Sequence, residues 1–191
     1  GGSAFDAANN PSYNVLVGYL AGSAINGGFG RNVGIGQSTL KATTSGGRLV
    51  AIGDEALEAN TTADANIGIG YNAGKSITTG TRNIALGYAA ADGFDTESDN
   101  IAIGYDALGG AVAGGEKNVV VGNYAGDALT SADYSVMIGH EAGSGVTTGG
   151  RNVFVGYNTG KQVTTTTGNT FVGTYIGFAG SGAGSSNTIM G

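Results

Sequence analysis

Asn66-Ile67-Gly68-Ile69-Gly70-Tyr71-Asn72-Ala73-Gly74 decides the fold, because the phrase returns twice in succession. It recurs as Asn83-Ile84-Ala85-Leu86-Gly87-Tyr88-Ala89-Ala90 and as Asn100-Ile101-Ala102-Ile103-Gly104-Tyr105-Asp106-Ala107. The shared skeleton is apolar, any, apolar, Gly. It ends on Gly18, Gly36, Gly53, Gly70, Gly87, Gly104, Gly122, Gly139, Gly156, Gly173 and Gly191. Successive glycines lie 17 or 18 residues apart and Gly1 keeps the phase, so one repeat domain fills 1–191. That period is too short for a helix pair and suits one coil of a β-solenoid. The expected fold is all-β, a parallel β-solenoid or β-roll of about eleven 17–18-residue coils. Strands stacked at about 4.8 Å would make a rod of roughly 50 Å.

With positions counted from the repeat Gly, two columns carry the strand. Position −3 holds Val15, Val33, Val50, Ile67, Ile84, Ile101, Val119, Val136, Val153, Thr170 and Thr188. Position −1 holds Val17, Ile35, Ile52, Ile69, Leu86, Ile103, Val121, Ile138, Val155, Val172 and Met190. A period of two puts both on one face, and their β-branched character suits a strand. The expectation is that this face lines the interior. Position −2 would then point outward. It holds Leu16, Gly34, Ala51, Gly68, Ala85, Ala102, Val120, Met137, Phe154, Phe171 and Ile189, none of them polar. A strand apolar on both faces is normally covered on both. The −2 column is therefore expected to be an oligomer interface between copies of the chain.

Position −4 is Asn in nine of eleven repeats, namely Asn14, Asn32, Asn66, Asn83, Asn100, Asn118, Asn152, Asn169 and Asn187, with Leu49 and Ser135 as the exceptions. Stacked amides can hydrogen-bond from coil to coil, so an axial Asn ladder is expected. Position +3 is mostly Ala, which suggests a tight corner. A second short strand is read over Ile77-Thr78-Thr79, Val146-Thr147-Thr148 and Val163-Thr164-Thr165. The extra residue of the 18-residue repeats is expected within Asn26–Gly30, Ala111–Gly115 and Ala179–Ser186.

Composition excludes several classes. Gly supplies 39 of 191 residues, about a fifth against a usual share of roughly 7%, yet Pro occurs once and no three-residue period exists, so the chain is not collagen. It has no Cys, hence no disulfide, thiolate metal site or thiol nucleophile. A net charge of −6 disfavours nucleic acid as partner. No apolar run approaches the ~18 residues of a membrane span. The eight bases sit in columns −5 and +5, interleaved with acids: Lys41, Glu58, Lys75, Asp92 along one, Arg82, Asp99, Lys117 along the other. Such ladders would attract from coil to coil and resist slippage.

Chemistry is sparse. Gly70 to Ser76 has three residues between its glycines where a phosphate loop has four. Gly68-Ile69-Gly70-Tyr71-Asn72-Ala73 has dinucleotide-loop spacing, but no helix pattern follows. His140 is the one His, and no nucleophile elbow accompanies it. The carboxylates select no catalytic pair. No enzyme activity, cofactor or metal is expected. Tyr71, Tyr88 and Tyr105 fall in consecutive repeats, so their rings would stack. They are the candidate ligand-binding residues, as a platform for sugar rings. A Thr column at +8 (Thr44, Thr61, Thr78, Thr130, Thr147, Thr164) raises ice binding as an alternative. Asn60-Thr61-Thr62 matches the glycan acceptor pattern.

The three quoted phrases resemble the head repeats of trimeric autotransporter adhesins and the similar repeats of phage tail fibres. The resemblance covers almost the whole chain. It implies three chains packed side by side as a homotrimer, in a fibre that attaches to a cell surface. The partners implied are further copies of the chain and a cell-surface glycan or outer-membrane receptor. The location implied is extracellular, on a cell surface or on a virion. No polar cap is read at either terminus. The chain is therefore expected to be a segment of a longer fibre, or a unit that stacks end to end into a filament.

Overall fold

A computed structural model describes residues 13–27, 30–110, 114–177 and 184–191. They contain eleven three-residue strands and no helix. The strands are β1 (Val15–Val17), β2 (Val33–Ile35), β3 (Val50–Ile52), β4 (Ile67–Ile69), β5 (Ile84–Leu86), β6 (Ile101–Ile103), β7 (Val119–Val121), β8 (Val136–Ile138), β9 (Val153–Val155), β10 (Thr170–Val172) and β11 (Thr188–Met190). They form one parallel sheet in sequence order. Equivalent repeat positions pair throughout, as in Ile84↔Ile101 and Leu86↔Ile103. The chain is thus a parallel β-solenoid with one coil per repeat.

Each coil carries one strand. The Thr-rich stretch stacks through isolated bonds, such as Thr61 N–H to the Thr78 carbonyl (2.9 Å) and Thr130 N–H to the Thr147 carbonyl (2.9 Å), without the consecutive pairs that make a ladder. The predicted second strand is therefore a stacked turn. The expected sites of the extra residue fall largely outside the described residues.

The repeat Gly is fixed by two constraints. Gly87 has φ +135°, and a Cβ there would stand on the carbonyl oxygen of Gly104 in the next coil. No side chain fits that approach. Positions −5, +2 and +4 also have positive φ but tolerate other residues, among them Arg82, Ala89 and Leu57.

The faces of the strand are the reverse of the expectation. Ala51, Ala85, Ala102, Val120, Met137, Phe154 and Phe171 are fully buried within the single chain. Leu16 packs partly buried against the same core, and Ile189 in the last strand is 40% exposed. The −2 column is thus the interior of the rod, and it is not an outer oligomer interface. The −3 and −1 columns face out, with Ile35, Ile52, Ile69 and Ile138 at 36–40% exposure.

The reason is volume. Position −2 faces position +4 across a thin interior. Where −2 is Gly34, Ala51 or Ala102, position +4 is Leu40, Leu57 or Leu108. Where −2 is Leu16, Val120, Met137, Phe154 or Phe171, position +4 is Gly22, Gly126, Gly143, Gly160 or Gly177. A Cβ on Gly160 would lie 2.5 Å from Phe154 Cδ2, and one on Gly177 2.8 Å from Phe171 Cε2. In coil four both positions are Gly (Gly68, Gly74) and in coil five both are Ala (Ala85, Ala91); there Ile77 and Phe94 at +7 are buried in the same core. Room exists for about one large side chain per coil at this level.

A double-mutant cycle tests this sharing. Phe154→Ala alone should cost about 3–5 kcal/mol by leaving a cavity. Gly160→Leu alone should overpack and cost about 1–3 kcal/mol. Together they rebuild the Ala/Leu pairing of coil three, and denaturant unfolding should show a loss about 2 kcal/mol or more below the sum. Strict additivity would mean the two positions do not share space.

Candidate functional site

The interior's main polar column is used along the axis, while Thr43 Oγ1 and both amide atoms of Asn60 are buried without a hydrogen-bond partner. Each Asn at −4 from Asn14 to Asn169 binds the following coil. Asn83 Oδ1 accepts from the backbone N–H of Asn100 (3.0 Å), while Asn83 Nδ2 donates to the carbonyl of Glu97 (2.7 Å). Asn100 does the same to Asn118 N–H (3.0 Å) and the Gly115 carbonyl (3.0 Å). Asn32, Asn66, Asn118, Asn152 and Asn169 are also fully buried. Amide-to-amide bonds of the kind expected occur at Asn118–Asn100, Asn169–Asn152 and Asn187–Asn169. Most of the ladder is side chain to backbone. Ser135 keeps half of it, its hydroxyl accepting from Asn152 N–H at 3.3 Å.

Glu97 stands where neighbouring coils have Gly80 and Gly115. It is 3% exposed, and its carboxylate accepts the N–H groups of Asp95, Thr96 and Gly114. This carboxylate replaces axial partners for backbone beside an 18-residue coil, a structural task. Asn60 is fully buried, so the folded coil presents no amide for glycosylation.

On the outside, the tyrosine row is longer than the three expected residues. Tyr71, Tyr88, Tyr105, Tyr124, His140, Tyr157 and Tyr175 form one run, with ring centroids 5.1–6.2 Å apart. Tyr124 and Tyr175 enter from position +2, one residue beyond the column of the others. His140 thus continues an aromatic stack, 5.4 Å from Tyr157. Tyr88 lies stacked between Tyr71 and Tyr105 at 5.1 Å on each side, so its faces are occupied. A sugar ring has no open face to lie on there. The row offers edges and hydroxyls instead. The negative charge of a Tyr124 phenolate would push the Tyr105 phenol up, and a hydrogen bond with Tyr175 does so for Tyr157.

The Thr column donates inward along the axis. Thr44, Thr61, Thr130 and Thr147 each give the hydroxyl to the backbone carbonyl one coil on, at 3.0–3.2 Å. Those donors are spent on the solenoid and are not free to order water.

The charge ladders pair partly as expected. Lys41 meets Glu58 at 3.0 Å, and Arg82 meets Asp99 at 2.5 Å. Lys75 prefers Glu55 (2.6 Å) to Glu58 (3.8 Å), Lys161 pairs with Glu141, and Lys117 takes its neighbour Glu116 (3.3 Å) instead of Asp99. The Arg82 hydrogen bond holds the Asp99 carboxyl below its usual range. Burial pushes Asp92 and Asp127 up, and the like charge of Asp106 adds to both. Among the described residues no group of three acids or His is arranged to hold a metal ion.

Clefts open on the surface of the described residues. A shallow groove of about 470 Å³ runs along Lys41, Glu58 and Lys75, whose charges are mutually paired. A smaller one of about 190 Å³ lies around Tyr134 and Arg151. Comparison with protein-family models, curated proteins and solved structures gave no match to this chain.

Raised carboxyl pKa values mean that the ionised forms of Asp92 and Asp127 cost stability at neutral pH, a cost relieved as pH falls and they protonate. Asp106→Asn should therefore raise Tm by about 1–3 °C at pH 7, fading toward pH 4. Calorimetry across that range checks both the sign and the fading.

Proposed function

We propose that this protein is a non-enzymatic structural and adhesive fibre module, of the phage tail fibre or cell-surface adhesin kind, that attaches to a cell surface. It works as a side-by-side homo-oligomer, a trimer by the repeat resemblance, outside the cell or on a virion. One observation carries this reading: the outer face of the sheet is apolar in nine successive strands. Val, Ile or Leu fills −3 and −1 from β1 to β9, unbroken by any charge. With the bordering tyrosines the strip is roughly 15 Å by 50 Å, about 750 Å². Monomeric proteins rarely leave such a patch open. The area approaches the ~800 Å² that each partner gives to a standard interface. The occupant that matches a 4.8 Å repeat of β-branched ridges is another copy with the same repeat. Axial Asn clamps and ion pairs then stiffen the rod without touching this face.

Light scattering after size exclusion tests the assembly. The wild-type chain should run at a whole multiple of 18.6 kDa, threefold for a trimer. Ile69→Lys with Ile103→Lys should run at onefold with its circular dichroism unchanged. A wild-type chain of onefold mass would overturn the proposal.

A further inference from the structure

We infer that the cleft at Tyr134 and Arg151 binds an acidic sugar, a glycan unit bearing a carboxylate or sulfate; this deepens the adhesive reading and rests on it. The cleft spans positions −8 to −5, just upstream of the strand, so it lies beside the apolar face and stays open when that face is covered. Lys41, Arg48, Lys75, Arg82, Lys117 and Lys161 each have a carboxylate within 4 Å. Arg31 and Arg151 have none among the described residues, and Arg151 lines the cleft. Its guanidinium instead lies over the Tyr134 ring, 5.8 Å from the centroid, with Lys117 Nζ 5.2 Å from the same ring.

That stack holds the guanidinium on the cleft wall with its donor fork unspent, and the geometry of the fork matches a carboxylate or sulfate. Hydroxyl partners stand around it. Ser131, Thr148 and Thr167 line the same cleft from three successive coils. Asp133 uses Oδ1 to accept the Glu116 N–H (2.8 Å), which fixes the carboxylate and leaves Oδ2 to accept a sugar hydroxyl. A cationic anchor ringed by hydroxyls and one oriented acceptor suits a polyhydroxylated anion of one sugar's size. A neutral sugar would leave Arg151 without a partner, and a bare anion would ignore the hydroxyls.

The test uses the full chain and three probes: sialyllactose, a heparan tetrasaccharide and lactose. Saturation-transfer NMR and titration should show at least one acidic probe binding tenfold or more tighter than lactose. Arg151→Gln should lose tenfold or more of that affinity and Arg151→Lys an intermediate amount. Arg82→Gln should lose none. Equal binding by wild type and Arg151→Gln, or no preference for the acidic probes, overturns the site. Light scattering and binding of labelled protein to cells on the same samples separate the two proposals. An intact oligomer whose cell binding is unchanged in Arg151→Gln removes this site alone. An intact oligomer that binds no cells removes the adhesive reading as well.

Discussion

Each coil of this solenoid has room for little more than one large side chain between the middle of its strand and the residue six positions later. That limit organises the molecule. Phe154 faces Gly160, Phe171 faces Gly177, and Met137 faces Gly143, while Ala51 and Ala102 face Leu57 and Leu108. The bulk moves from one wall to the other along the rod, and where both positions are small, as at Gly68/Gly74 and Ala85/Ala91, Ile77 or Phe94 is buried in the same coil. Because the interior takes the middle residue, the two flanking β-branched residues must look outward. The apolar outer face follows from the thinness of the inside.

Axial hydrogen bonding holds the coils at one spacing. The repeat Gly lets the next coil's carbonyl approach where a Cβ would stand, and the Asn at −4 secures the strand's entry by binding two backbone groups of the following coil. Buried amides this well satisfied favour one stacking register, since a slip would strand their donors and acceptors at about 1–3 kcal/mol each. Leu49 and Ser135 show that isolated gaps in the ladder are tolerated while the neighbouring coils keep theirs.

Much of this was legible from the residues alone. The 17–18-residue period, the strand at −3 to −1, the Gly column and the axial role of Asn all follow from spacing and residue type. The facing of the strand was not, because Val and Ile suit either side of a sheet when both sides are apolar, so β-branching marks a strand without marking its inner face. The signal that settles it is the exchange of large and small residues between −2 and +4: Phe154 with Gly160, Ala102 with Leu108. Columns compared two at a time reveal it; columns read singly hide it. The aromatic row was half seen, since Tyr124 and Tyr175 join it from the next position and His140 substitutes for a tyrosine ring. The Arg151 cleft needed three dimensions, because its guanidinium stands out by lying over the Tyr134 ring in a cleft shared by three coils.

The proposed function uses two separate surfaces: a flat apolar face for copies of the chain, and a polar cleft beside it for a ligand. Both depend on the strand facing. The most direct measurement is the NMR environment of Phe154. With its ring inside against Gly160, the Gly160 α-protons should be shifted upfield by the ring current and show strong NOEs to the Phe154 ring, with the Val153 and Val155 methyls giving none. NOEs from those two methyls to Gly160, with the Phe154 ring in contact only with solvent or a neighbouring chain, would contradict the account.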